Sequence, residues 1–158
     1  MKQPAAPREP PAVATLQTHL GYWLRYVSNQ VSHAFSRKVE AHGVTVAEWV
    51  VLRELHDGES MPSALADRLG LTRGAVSKLA DRLAAKRLVS QRPRADDARS
   101  LTLALTARGR GLVPILAALA DKNDAEFFGC LDAQVRRTVE SAMRQLVQHH
   151  GLRGVPTD

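Results

Sequence analysis

The 158-residue chain is 44% hydrophobic and 24% charged, with only 4% aromatic residues. That balance excludes a low-complexity or disordered chain and leaves room for a packed core, built mainly from Leu, Val and Ala. The formal charge of +6 and a pI near 10.1 point to an anionic partner such as nucleic acid, and a single cysteine, Cys130, excludes an intramolecular disulfide and fits a reducing compartment.

The N-terminal stretch MKQPAAPREPPAVA (1–14) carries four prolines and no apolar segment of signal-peptide type, so it reads as an extended tail. No apolar run approaches the roughly 18 residues of a bilayer span, and a soluble, cytoplasmic protein is expected. From Thr15 to about Glu40, Leu16, Leu20, Trp23, Val27, Val31, Ala34 or Phe35, and Val39 recur at steps of three and four, the signature of one helical face. His42-Gly43 supplies a stop, with Gly43 suited to a left-handed cap.

Thr45-Val46-Ala47-Glu48 has capping-box form and opens a second helix that ends near Gly58. A short helix over 63–69 follows, with Pro62 tolerated at its start and Gly70 at its end. Thr72 caps the next helix, over 73–86. Leu65, Ala66, Leu69, Leu71, Val76, Leu79 and Leu83 are expected to face a shared core.

The period then changes. Leu88-Val89 begins a strand, 93–99 is a polar turn, and Leu101, Leu103 and Leu105 alternate with Thr102, Ala104 and Thr106, so the pair reads as a β-hairpin. Thr106 caps a further helix carrying Leu112, Ile115, Leu116 and Leu119, which Pro114 is expected to bend. A last helix opens at Leu131-Asp132 with Val135, Val139, Met143 and Leu146 as its stripe, and residues 151–158 form a second tail.

A helix-turn-helix followed by a hairpin is the winged-helix layout, in which the second helix enters a major groove about 12 Å wide, N-terminal residues first. The residues placed to do so are short, polar or cationic: Thr72, Arg73, Gly74, Ser77 and Lys78, with Arg82 one turn further on. Between Arg73 and Arg99 there are eight Lys/Arg and three Asp, so most of the chain's excess positive charge is concentrated there.

Three segments, GVTVAEWVVLREL (43–55), LADRLGLTRGAVSKLADRLAAKRLV (65–89) and DARSLTLALTARG (97–109), occur in the order and spacing of the MarR-type transcriptional regulators, which the chain resembles over roughly residues 15–148. The resemblance implies a mainly α fold with a small β-hairpin wing, and a sequence-specific regulator of double-stranded operator DNA, of which the ligand-responsive repressor is the usual form. It implies that Arg99 enters the minor groove from the wing tip while Asp97 holds its side chain in place, with Arg92 and Arg94 near phosphates. It further implies a homodimer interleaved through residues 15–44 and 107–150 around a winged domain at 45–106. Two reading helices about 34 Å apart would then meet a near-palindromic operator. The apolar stripes of the flanking helices, which lack partners inside a small winged domain, agree with that pairing.

In such a protein His19, Trp23, Tyr26, His33 and Trp49 could line a pocket for a small aromatic or phenolic effector; the alternative is that the tryptophans anchor the core and the histidines lie on the surface. Cys130 reads as a half-buried small hydrophobe, with a redox sensor as the rival. No cofactor, metal site or enzymatic activity is expected: there is no nucleophile elbow, phosphate-binding glycine loop or metal-ligand cluster. Glu40 with His42, and Glu54 with His56, stand two apart and point in different directions on a helix. A DNA-binding regulator without an effector, or an activator, fits the same residues.

Overall fold

The computed structural model describes residues 13–93 and 101–152. A 3₁₀ turn at Leu16–Thr18 precedes α1 (Leu20–Glu40), which is followed by α2 (Val46–His56), α3 (Pro62–Leu69) and α4 (Arg73–Ala85). The hairpin strands β1 (Val89–Pro93) and β2 (Leu101–Leu105) come next, and then the long helices α5 (Ala107–Phe128) and α6 (Ala133–His149). The helix expected from Thr15 starts later because His19 is extended, and Thr15 O accepts both the Thr18 hydroxyl at 2.6 Å and the Thr18 amide at 3.1 Å. Such local side-chain bonds compete with helix propagation.

The caps follow the sequence closely. Thr45 Oγ1 accepts the Glu48 amide at 3.2 Å and Glu48 Oε2 accepts the Thr45 amide at 2.8 Å, which completes the capping box. Thr72, Thr106 and Asp132 cap α4, α5 and α6 through their side chains. Gly43 and Gly70, at φ of 76° and 65°, take the left-handed conformation that lets the chain turn back after α1 and α3.

β1 and β2 pair antiparallel with Val89 opposite Leu105, Gln91 opposite Leu103 and Pro93 opposite Leu101. Leu103 and Leu105 are buried, whereas Leu101, at the outer end of the ladder beyond the core, is exposed. Ser60 adds an isolated bridge to Leu103, with paired backbone bonds of 2.8 and 3.0 Å. It extends the hairpin by one partner that the sequence pattern did not reveal.

The core is a single cluster. Val51, Leu52 and Leu55 of α2, Leu65 of α3, and Val76, Leu79 and Leu83 of α4 meet Leu103 of β2, Val39 of α1, and Val113 and Leu116 of α5. Leu69 and Leu71 are only partly buried at its edge. The end of α1 and the first half of α5 thus belong to the core of the winged unit, and the expected boundaries at 44–45 and 106–107 pass through this cluster. In α5 the inward arc is Gly109, Val113 and Leu116. Ile115, expected inward, is 48% exposed because a helix turns roughly 100° per residue, which carries it off that arc. α5 runs continuously through Pro114.

Two surfaces stay apolar and uncovered. Leu20, Trp23 and Val27 on the first half of α1 are exposed, as are Val135, Val139, Met143 and Leu146 on α6, a helix in which no residue is buried. Single exposed hydrophobics are ordinary, but two contiguous stripes of this kind are the usual mark of an interaction surface.

Candidate nucleic-acid interface

α4 is amphipathic in the sense a reading helix requires. Val76, Leu79, Ala80 and Leu83 are buried, and on the other side Thr72, Arg73, Gly74, Ser77 and Lys78 are all exposed. Thr72 Oγ1 accepts the Ala75 amide at 3.1 Å, which fixes the helix start and leaves the hydroxyl hydrogen free to donate. Arg73 and Lys78 have no ion-pair partner among the described residues. Arg92, on β1 opposite Thr102, is exposed in the same way. Arg94, Asp97 and Arg99 lie outside the described residues.

Arg82 departs from the expected grouping. Its Nε lies 3.7 Å from Glu48 Oε1, which directs the side chain toward the start of α2 rather than toward the face of Arg73 and Ser77. Asp81, which was not expected on this face, is set there with Ser77 by helical spacing and is exposed. Its Oδ1 accepts from Gln91 Nε2 at 2.9 Å and so links α4 to β1.

Glu48 is fully buried. Lys86 Nζ donates to both of its oxygens, at 2.7 and 2.9 Å, and to the Gly43 carbonyl at 2.8 Å. Burial alone would raise the Glu48 pKa. The bonds from Lys86 and the Thr45 amide, with the charges of Lys86 and Arg82, outweigh it and hold the carboxyl below its ordinary 4.5. One lysine therefore ties the end of α4 to the α1–α2 loop and to the cap of α2.

At the other end of the hairpin, the Thr106 hydroxyl donates to Arg87 O at 2.7 Å, and Leu88 O accepts the Thr106 amide at 3.0 Å. Gly109 lies so close that a Cβ there would stand 2.1 Å from that same oxygen. The small residue at this point of the Leu-Thr-x-x-Gly pattern is thus a packing requirement.

The five residues considered for an effector pocket are spread out. His19, Trp23, Tyr26 and His33 are exposed on or just before α1, and Trp23 Nε1 donates to Gln17 O at 2.9 Å. Trp49 is half-buried on α2, edge-to-face with Phe35 at 6.5 Å between centroids. Trp23 precedes Phe35 by three turns of α1, roughly 18 Å of rise, so one chain does not bring the two tryptophans together. Trp23 is also not a core anchor within the chain, being 49% exposed. A different recess, of about 390 Å³, lies between α1, α2 and α5 against Val31, Phe35, Val46 and Ala120. Its floor includes the buried Asn123, which donates to Val31 O at 3.2 Å and accepts from Lys38 Nζ at 2.9 Å.

Cys130 is exposed, not half-buried, because α5 has ended at Phe128 and the chain turns outward before Asp132. His149 and His150 contact one another edge-to-face at 4.8 Å. Among the described residues no group of three or more His, Cys, Asp or Glu is placed to hold a metal, and no helix is long and apolar enough to cross a membrane.

Residues 42–100 match the model of the MarR family. No curated protein matches the sequence. Among solved structures, BpsR of Bordetella bronchiseptica, whose DNA binding is regulated by 6-hydroxynicotinic acid, superimposes with a TM-score of 0.76 at 23% identity, over 85% of this chain and 97% of that one. The MepR–DNA complex of S. aureus gives 0.76 at 21% identity, over 83% and 98%. A MarR variant from E. coli in complex with operator DNA gives 0.74 at 22% identity, over 81% and 93%. The family model thus lies on the helix-turn-helix and the first strand of the hairpin, and the solved regulators share the fold of the helices around it, so the chain has the winged helix-turn-helix fold and is similar over residues 42–100 to the MarR family.

Proposed function

We propose that the protein is a homodimeric repressor that binds a near-palindromic operator and yields to a small-molecule effector. The observation that carries the DNA-binding part is the exposed face of Arg73, Ser77 and Lys78 at the capped start of α4, opposite the buried Val76, Leu79, Ala80 and Leu83, with neither cation in an ion pair among the described residues. The bare stripes of α1 and α6 support pairing of two chains, and a two-fold pair presents its reading helices to half-sites about 34 Å apart. Arg73, Ser77 and Lys78 then approach the major groove, Arg92 and Arg94 the phosphates, and Arg99, splinted by Asp97, the minor groove. These are cytoplasmic roles.

An effector acts by binding unequally to the DNA-competent and DNA-incompetent spacings of the two winged units. A small aromatic acid or phenol is the class we assign, by analogy with the compound that regulates BpsR. A regulator without an effector is the second reading, favoured by the dispersal of His19, Trp23, Tyr26, His33 and Trp49 over the chain. Titration of the promoter fragment beside its own gene, at two salt concentrations and against a random fragment, tests the proposal. Arg99→Ala should weaken specific binding by at least tenfold, and equal affinity for both fragments at physiological salt would refute it. Thermal melting with a panel of aromatic acids separates the two readings, since a ligand of the native state raises its melting temperature.

A further inference from the structure

A second feature of the surface is independent of the reading face. Where the end of α4 meets the α1–α2 loop and the first turn of α5 there is a recess of about 250 Å³, with His42, Gly43, Lys86, Arg87, Arg108 and Leu112 in its wall. No carboxylate lines it. Lys86 is already committed, since its three ammonium hydrogens match its three acceptors, two on Glu48 and one on Gly43. The side chains of Arg87 and Arg108 have neither a hydrogen-bond nor an ion-pair partner among the described residues, and both residues are exposed.

The backbone at Arg87 adds a second observation. Its φ is 58°, the only positive value at a non-glycine residue among those described. Arg87 N–H donates to Ala84 O and Leu88 N–H to Leu83 O, both at 2.9 Å, which makes it the left-handed residue that closes α4. Glycine fits that position without strain, as Gly43 and Gly70 do at the ends of α1 and α3. Here an arginine holds it, in a recess whose wall also includes Arg108 and His42.

We infer that this recess binds a phosphate-sized oxyanion, with Arg87 and Arg108 as its two donors and His42 beside them. Planar guanidinium forks match the paired oxygens of phosphate or carboxylate and carry their charge at any ordinary pH. The volume is below the roughly 300–1,000 Å³ of a cleft for a drug-sized organic ligand, which suits a small anion. The site lies where the helix-turn-helix unit joins α1 and α5, apart from the exposed face of α4 and from the recess beside Phe35. The oxyanion is either a free phosphate or a backbone phosphate of bound DNA, and the chemistry on the protein is the same for both.

The test uses the full chain and the double variant Arg87→Gly/Arg108→Gln. Arg87→Gly relieves the left-handed strain, so a lost response in the variant does not come from a weakened fold. For a free anion, inorganic phosphate titrated against chloride at constant ionic strength raises the melting temperature of the DNA-free wild type to a plateau, and the double variant loses that rise. This arm needs no operator and stands whatever the outcome for the proposed repressor. For a DNA phosphate, the phosphate response is flat in both proteins. The slope of log affinity against log salt then falls by about one for each phosphate no longer neutralised, with the ratio of specific to random affinity unchanged. A double variant that matches the wild type in both the phosphate response and the salt slope overturns the inference.

Discussion

Replacing Lys86 by Met removes the cation from a carboxylate whose side chain is 1% exposed. Glu48 keeps the Thr45 amide and the more distant Arg82, but two bonds of 2.7 and 2.9 Å disappear and no water can reach the vacated oxygens freely. Breaking a buried pair from one side costs about 3–5 kcal/mol, because an uncompensated charge stays behind. In a chain of this size that corresponds to a melting temperature lower by roughly 10 °C. In the wild type the Glu48 carboxyl titrates below its unfolded value of 4.5, so its contribution to stability is complete above that value and is lost as pH falls through the lower folded value. Lys86→Met removes two of the four causes that lower the Glu48 pKa, so the carboxyl protonates more readily than in the wild type, and the penalty is greatest at neutral pH and fades as it does so. Lys86→Met should therefore be far less stable than wild type at pH 7 and closer to it at pH 4. Adding Glu48→Gln to it should restore part of the loss. The assay is thermal or urea unfolding of the three proteins at one chain concentration, which removes any effect of association. A Lys86→Met deficit below about 1 kcal/mol at pH 7, or one equal at both pH values, would refute the assignment of Glu48 as a buried, lysine-dependent anion.

Other expectations are more local. Gly109→Ala drives a Cβ to within 2.1 Å of Leu88 O, so α5 or the hairpin root must shift, at about 1–3 kcal/mol or more; an unchanged melting temperature would contradict the close approach. Met143→Glu places a charge in the α6 stripe and should shift the chain toward a monomer in gel filtration or sedimentation, and a variant that stays paired argues against that face as the interface. Arg73→Ala should cost about 1–3 kcal/mol of operator affinity and relax base preference if it reads a base. If it touches phosphate, the loss is uniform across sequences and the salt slope falls by about one. Titration of operator variants distinguishes the two.

Much of this architecture was legible in the sequence because short side-chain rules fix helix ends. Thr45 with Glu48, Thr72, Thr106 and Asp132 each cap where spacing predicted, and Gly43 and Gly70 turn where only a left-handed residue serves. The positively charged, capped helix at 73–85 could likewise be placed from pattern alone. What could not be read depends on partners distant in sequence. Glu48 read only as one half of a capping box, and nothing local indicates that it is buried or that Lys86, 38 residues on, pairs with it. Arg82 fell into the row of readers by spacing, but its side chain turns toward that same carboxylate. Ile115 and Val113 are equally apolar, and which of them faces inward is decided by the Gly109 contact with Leu88, a long-range event. Trp23 and Trp49 share a residue type without sharing a neighbourhood, which chain order conceals.

The absent side chain at Gly109 has a mechanical consequence. Where α5 crosses the root of the hairpin there is no compressible layer, and the same helix start grips the chain on either side, the Thr106 amide on Leu88 O and the Thr106 hydroxyl on Arg87 O. Tilting or rolling α5 therefore carries the base of β1 with it, as a lever carries whatever is riveted to its fulcrum. The other half of that lever runs out toward Phe128 and the exposed stripe of α6. Whatever settles on those outer helices thus steers the hairpin from a distance, and the protein needs no flexible linker to do so.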